Sequence, residues 1–241
     1  MQRHGRIQTD GFVTEMVYNN PTPTYVYAFR SFQLGNEAFS DEQFKFIAPS
    51  LDGRAAHARD SRLDDELNKG GGRPVIYASL GTIFNTFMPF YQAVVAAFGD
   101  RDVTVVLSVG RNFDQMKLGR VPHNIFINQS VDQLAVLEKA DLFITHGGMN
   151  SVNEALYYKV PVVVVPMADD QPTVGARIAE LGLGTVVRRK KINGQTLGRA
   201  ASMILADKQI ADNVNRISED MRKSGGNQQI VKDLDHILNH S

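Results

Sequence analysis

The sequence predicts an α/β fold, a Rossmann-like parallel sheet with helices on both faces. Two observations carry this reading. From Pro74 onward, short β-branched runs alternate with longer amphipathic stretches, which is the pattern of a covered parallel sheet. At 241 residues, of which 43% are hydrophobic, the chain can also bury a sizeable core, and one large α/β unit plus an appendage fits better than two full domains.

Six strands are expected at Val75 to Leu80, Val103 to Val109, Ile125 to Ile127, Leu142 to Thr145, Val162 to Val165 and Thr185 to Val187. Helices fill the gaps at Met88 to Phe98, Val131 to Lys139, Asn150 to Tyr158 and Thr173 to Leu181. Three more follow at Gly194 to Ala206, Lys208 to Lys223 and Asn227 to Asn239. Before Pro74 the pattern changes. Tyr25 to Phe29 and Phe44 to Ile47 read as isolated strands, whereas Asp52 to Gly72 is charged, rich in small residues and closed by three glycines, as linkers are. The expected division is therefore 1–72 and 73–241, with the main domain starting near Arg73.

Lys plus Arg and Asp plus Glu both total 26, so no net field favours nucleic acid or an acidic membrane. The absence of cysteine removes disulfides, thiolate nucleophiles and Cys-ligated metals, and suits a reducing compartment. Val160 to Met167, the most apolar stretch, falls far short of the roughly 20 residues that span a bilayer. Met1 to Asp10 is too polar for a secretory signal, so the expectation is a cytoplasmic, soluble chain.

In an open parallel sheet, ligands bind where strands end and helices begin. Three such edges carry unusual residues: Gly81-Thr82, His146-Gly147-Gly148-Met149-Asn150-Ser151 and Pro166-Met167-Ala168-Asp169-Asp170-Gln171. In the middle one, two glycines let backbone approach an anion, and Asn150 and Ser151 open a helix whose free amides need acceptors. Each charge-assisted hydrogen bond contributes roughly 1.5 to 3 kcal/mol, so a few reach the roughly 8 kcal/mol of a micromolar diphosphate site. His146 can add a donor, and Glu154 lies four residues past Asn150 on one helical face, where a carboxylate accepts two vicinal ribose hydroxyls. Taken singly, each feature has a plainer explanation: a hydrogen-bonded histidine at a strand end, an ordinary glycine turn, a helix cap. Their conjunction favours a nucleotide.

The stretch THGGMNSVNEALYYKVPVVVVPMADDQ resembles the donor-binding signature of UDP-glycosyltransferases that carry two Rossmann-like domains, the GT-B type. FKFIAPSL, VIYASLGTIFN, SVDQLAVLEKADLFITHGGMNS and SGGNQQIVKDLDHIL extend the similarity from about Tyr25 to the chain end, and it is strongest to the bacterial macrolide and flavonoid branch. The resemblance implies a C-terminal donor half with its linker, and the following roles. Val131 and Gln133 border the uracil, while Thr82, His146, Gly148, Asn150 and Ser151 hold the diphosphate. Glu154 takes the ribose hydroxyls, and Asp170 and Gln171 recognise the donated sugar, glucose in most of this branch. Two departures bear on base stacking: Ser130 stands where many relatives have an aromatic residue, and Asp132 where they have proline.

The resemblance further implies transfer to a hydroxyl of a macrolide, flavonoid or phenol, inverting and metal-independent, with UDP-sugar as substrate and no cofactor. The acceptor pocket and the catalytic histidine of relatives lie in an N-terminal domain without counterpart here, and His4, in polar sequence at the terminus, is no stand-in. No catalytic residue is therefore assigned. The chain is expected to be a fragment, an engineered piece or one partner of a split enzyme. Two other readings remain: a non-catalytic UDP-sugar-binding module that needs an acceptor-domain partner, and a nucleotide-sugar epimerase.

Remaining signals are weaker. Asp100-Arg101-Asp102 mimics a metal-binding DxD but precedes its strand, at the sheet's opposite edge, and no other metal motif is present. Arg188 to Lys191 reads as a solvated loop. Ile230, Leu234, Ile237 and Leu238 form an apolar stripe expected to pack on its own domain, and self-association follows if part of that face is left uncovered.

Overall fold

A computed structural model describes residues 23–51, 72–111 and 113–240, with single positions at 63, 65 and 67. His4, His57 and nearly all of the expected linker at 52–72 lie outside the described residues. The chain forms two compact units. The smaller joins the described residues up to Ser50 with those from Asp220 on, and the larger runs from Leu51 to Glu219. The C-terminal residues thus group with the small unit rather than with the residues from Arg73 on.

The larger unit is built on six parallel strands: β3 (Val75–Ser79), β4 (Thr104–Ser108), β5 (Ile125–Asn128), β6 (Leu142–Thr145), β7 (Val162–Val164) and β8 (Gly184–Val186). Their order is β5-β4-β3-β6-β7-β8. Val105, Val106, Leu107, Phe143, Ile144 and Val162 to Val165 are all buried, so these runs are continuously apolar, as strands covered on both faces must be. The strand order reverses between β3 and β6, which pair with Ser79 opposite Thr145. Their carboxyl ends therefore open a crevice, the usual ligand position of such sheets.

Local chemistry sets the helix limits. Helix α1 (Met88–Phe98) starts with a proline in its first turn and stops at Gly99. Helix α2 (Gln133–Leu137) is shorter than the expected Val131 to Lys139, because the Asp132 carboxylate accepts from the Ala135 amide at 3.2 Å and caps the helix after Val131. Helix α3 (Met149–Tyr157) begins a residue early. Gly148 is its N-cap, which places Asn150 and Ser151 inside the first turn instead of at the cap. Helix α4 (Gln171–Glu180) likewise starts before Thr173, with Asp170 at its N-cap. Helix α5 (Gly194–Ala206) opens on a reciprocal capping box between Asn193 and Thr196 and packs on α1. Helix α6 (Lys208–Lys223) follows.

In the small unit, β1 (Thr24–Val26) and β2 (Phe44–Phe46) are not isolated: they pair with each other in parallel, Thr24 opposite Phe44. Helix α7 (Gly226–His240) is tied to them by the Tyr25 hydroxyl, which donates to Asp233 at 2.8 Å. Of the α7 stripe, Leu234 and Leu238 are not core as expected, being 49% and 77% exposed. Among the described residues, no helix is long and apolar enough to cross a membrane.

Candidate functional site

A cleft of about 530 Å³ lies at the carboxyl ends of the strands of the larger unit. Of the residues expected there, Thr82, Val131, Gln133, His146, Gly148, Asn150 and Ser151 line it. Glu154, Asp170 and Gln171 do not.

At one end the imidazole of His146 is held between two glycines. A Cβ on Gly81 would stand 2.8 Å from Cε1, and one on Gly148 would stand 2.6 Å from Nε2. Both turns are tied down at strand ends: the Gly81 amide donates to Ser79 Oγ, and the Gly147 amide donates to Thr145 Oγ1, each at 3.2 Å. Beside the ring starts α3, whose N-cap is a glycine and therefore offers no side-chain cap to the first-turn amides. Amides, helix dipole and imidazole thus converge on one place suited to an anion. Burial lowers the pKa of His146, partly opposed by the Asp170 carboxylate, so the neutral imidazole prevails near pH 7 and presents one N–H.

At the other end a chain of side-chain hydrogen bonds runs inward. The Tyr77 hydroxyl donates to Gln133 Oε1 at 3.1 Å, and Gln133 Nε2 donates to Glu154 Oε2 at 2.6 Å and to Ser151 Oγ at 3.4 Å. Glu154 is only 1% exposed and stands behind Gln133, so Gln133 forms the cleft surface and the carboxylate backs it.

The third expected segment closes a neighbouring loop. Gln171, itself buried, uses its carboxamide oxygen to accept from the Met167 and Ala168 amides at 2.8 and 3.1 Å. Asp169 takes a left-handed φ of 56°, and the exposed Asp170 follows at the N-terminus of α4. Gly147 adjoins this loop, since a Cβ there would lie 3.7 Å from that of Gln171. The structure thus brings the HGG and DDQ segments together, with Gln171 shaping its own loop.

Several lining residues escaped the sequence reading. Ser79 and Ser108 are the paired last residues of β3 and β4, and the strand-end rule alone could have singled them out. Asn85 donates to the Thr82 carbonyl at 3.2 Å, while its own carbonyl accepts from the Tyr91 hydroxyl at 2.9 Å, which fixes the loop after β3. No local pattern announces that role. Ser130 also borders the cleft and brings a hydroxyl, not an aromatic face. The Asp100 to Asp102 segment lies at the opposite sheet edge, where Asn124 binds the Asp100 amide. In the Arg188 to Lys191 run, Arg189 sits 4.5 Å over the Phe87 ring and the rest is solvated.

Residues 92–237 match the family described as "Erythromycin biosynthesis protein CIII-like, C-terminal domain". The chain is 37% identical over 216 residues to the NDP-glycosyltransferase YjiC of Bacillus subtilis, covering 90% of this chain and 53% of that protein. It is 33% identical over 226 residues to a protein named uncharacterized UDP-glucosyltransferase YdhE from the same organism, at 94% and 56% coverage. The solved glycosyltransferase of kitacinnamycin superposes with a TM-score of 0.78 at 30% identity, over 92% of this chain and 56% of that one. The chain spans about half the length of the curated relatives it matches.

Proposed function

The chain belongs to the erythromycin biosynthesis protein CIII-like C-terminal domain family, whose named relatives are glycosyltransferases, and from that premise we propose that it binds the donor UDP-glucose. The enzyme it serves transfers the sugar to a hydroxyl of a small aglycone such as a macrolide, flavonoid or phenol. The observation that carries this reading is the convergence of the α3 N-terminus, His146 and the Gly81 turn at the strand-order reversal.

The diphosphate sits on the first-turn amides of α3, with Thr82 and His146 beside it. Charge that builds on the β-phosphate as the glycosidic bond breaks meets these donors and the positive end of the helix. The ribose faces the Gln133 and Glu154 pair, and the uracil lies toward Val131 and Ser130. The hexose points to the loop bearing Asp170, with Gln171 holding that loop in shape. The acceptor and the base that removes its proton come from an acceptor-binding half, as the length of the relatives suggests, and inversion at the anomeric carbon follows from attack on the face opposite UDP.

Calorimetry with UDP-glucose, UDP and ADP-glucose tests the reading. UDP-glucose and UDP should bind at micromolar strength, and His146→Ala should weaken both. Asp170→Ala should weaken UDP-glucose while sparing UDP. Equal binding of ADP-glucose, or a His146→Ala variant indistinguishable from the parent, contradicts the proposal.

A further inference from the structure

Tyr77 is a buried aromatic residue whose ring stacks on Phe143 at a centroid distance of 4.5 Å and an interplanar angle of 10°. At the cleft floor its hydroxyl meets Gln133, with the Ser79 and Ser108 side chains beside it. A carboxamide has two unlike ends, an acceptor oxygen and a donor nitrogen, and an ionised carboxylate only accepts. With the Tyr77 hydroxyl on Oε1 and Glu154 on Nε2, the Gln133 amide has one orientation and little freedom to swing out. Burial pushes the Tyr77 phenol well above its ordinary pKa, so it stays a donor at every working pH.

We propose that Tyr77 is a positioning residue for ribose recognition: through Gln133 it fixes the surface that meets the ribose hydroxyls, and so favours a ribonucleotide donor over a deoxyribonucleotide one. The inference rests on the nucleotide reading of the cleft and extends it to a residue that itself touches no sugar hydroxyl.

The test compares UDP with 2′,3′-dideoxyuridine diphosphate by calorimetry on the full chain. Tyr77→Phe keeps the stack on Phe143, and its melting temperature should stay close to that of the parent. It should bind UDP about three- to tenfold more weakly, the range of one net hydrogen bond, and bind the dideoxy compound within about twofold of the parent. Equal losses on both nucleotides mean a purely structural role, and no loss on UDP means no role; either overturns the proposal.

In a Gln133→Met background, Tyr77→Phe should add nothing, because the two act in one chain; additive losses contradict it. Gln133→Glu keeps an acceptor for the Tyr77 hydroxyl but removes the donor to Glu154, so it must lose the ribose preference even with Tyr77 intact. A parent chain that binds neither nucleotide removes the nucleotide reading itself and this proposal with it, whereas one that binds both equally keeps that reading and overturns the ribose proposal alone.

Discussion

His146 and Gly81 are packed so closely that residue 81 has no room for a side chain: its Cβ would lie 2.8 Å from the imidazole Cε1. Gly81 also has φ of 71°, which costs an L-residue about 1 to 2 kcal/mol. Gly81→Ala should therefore lower stability and displace the imidazole, weakening UDP binding about tenfold. Gly148, at an ordinary φ of −62°, separates the two effects, because a Cβ there meets the imidazole alone, 2.6 Å from Nε2 and 3.0 Å from Cε1. Gly148→Ala should weaken UDP with a smaller stability loss. Calorimetry and thermal unfolding on both variants measure this, and unchanged affinity in Gly148→Ala contradicts it.

The charge state of His146 gives a pH dependence with a definite sign. Burial lowers its folded-state pKa below the ordinary 6.5, against the opposing pull of Asp170. Just below pH 6.5 the unfolded chain then binds more protons than the folded one, so stability falls as pH drops from 6.5 to the lowered value and is complete above 6.5. His146→Asn should flatten that segment of the curve. Thermal unfolding between about pH 7.5 and 5 checks it, and superimposable pH profiles for the two proteins contradict it.

Asp169 adopts a left-handed φ of 56° immediately before the proposed hexose contact. Asp169→Gly should hold or raise stability, whereas Asp169→Val should lose about 1 to 2 kcal/mol because a branched side chain clashes in that region. Chemical denaturation ranks the three proteins. A valine variant as stable as the parent would show that the loop carries no such strain.

Asn124 is buried at the far edge of the sheet. Its Nδ2 donates to the carbonyls of Phe98, Arg101 and Val103 at 2.9 to 3.1 Å, and its Oδ1 accepts from the Asp100 amide at 3.1 Å. The Phe98 and Arg101 carbonyls keep the Arg101 and Val103 amides as donors, so Asn124→Leu removes the partner of the Val103 carbonyl and of the Asp100 amide, at about 1 to 3 kcal/mol each, and should lower stability by a few kcal/mol. UDP affinity of the folded fraction should stay unchanged, since the cleft is at the other ends of the strands. A loss of affinity without a loss of stability contradicts this division.

Legibility in the sequence followed the range of the interactions. Strand β6 was readable to the residue because an apolar run ends abruptly at Thr145-His146-Gly147-Gly148, and α1 because Pro89 and Gly99 bracket it. At the proposed phosphate end His146, Gly148, Asn150 and Ser151 lie within one short segment and are legible together, whereas Gly81 and Thr82 come from the separate loop after β3. At the proposed ribose end the sequence singles out Glu154 and Gln133 but not Tyr77. Gln133 meets Tyr77 across 56 positions and Glu154 across 21, and only the sheet brings those three side chains together. In the sequence Asp132 reads as a substitution for proline, yet its effect is a cap that shortens α2, a choice between local hydrogen bonds that composition does not reveal. The α7 stripe has helical spacing, but periodicity says nothing of whether anything covers it.

Whether the turn before α3 holds a diphosphate is decided by a crystal structure of this chain with UDP bound. Diphosphate oxygens should stand within hydrogen-bonding distance of the amides that open α3, with His146 Nε2 donating to one of them and Gly81 alongside. Diphosphate density anywhere else, with this turn occupied only by solvent at saturating nucleotide, would contradict it.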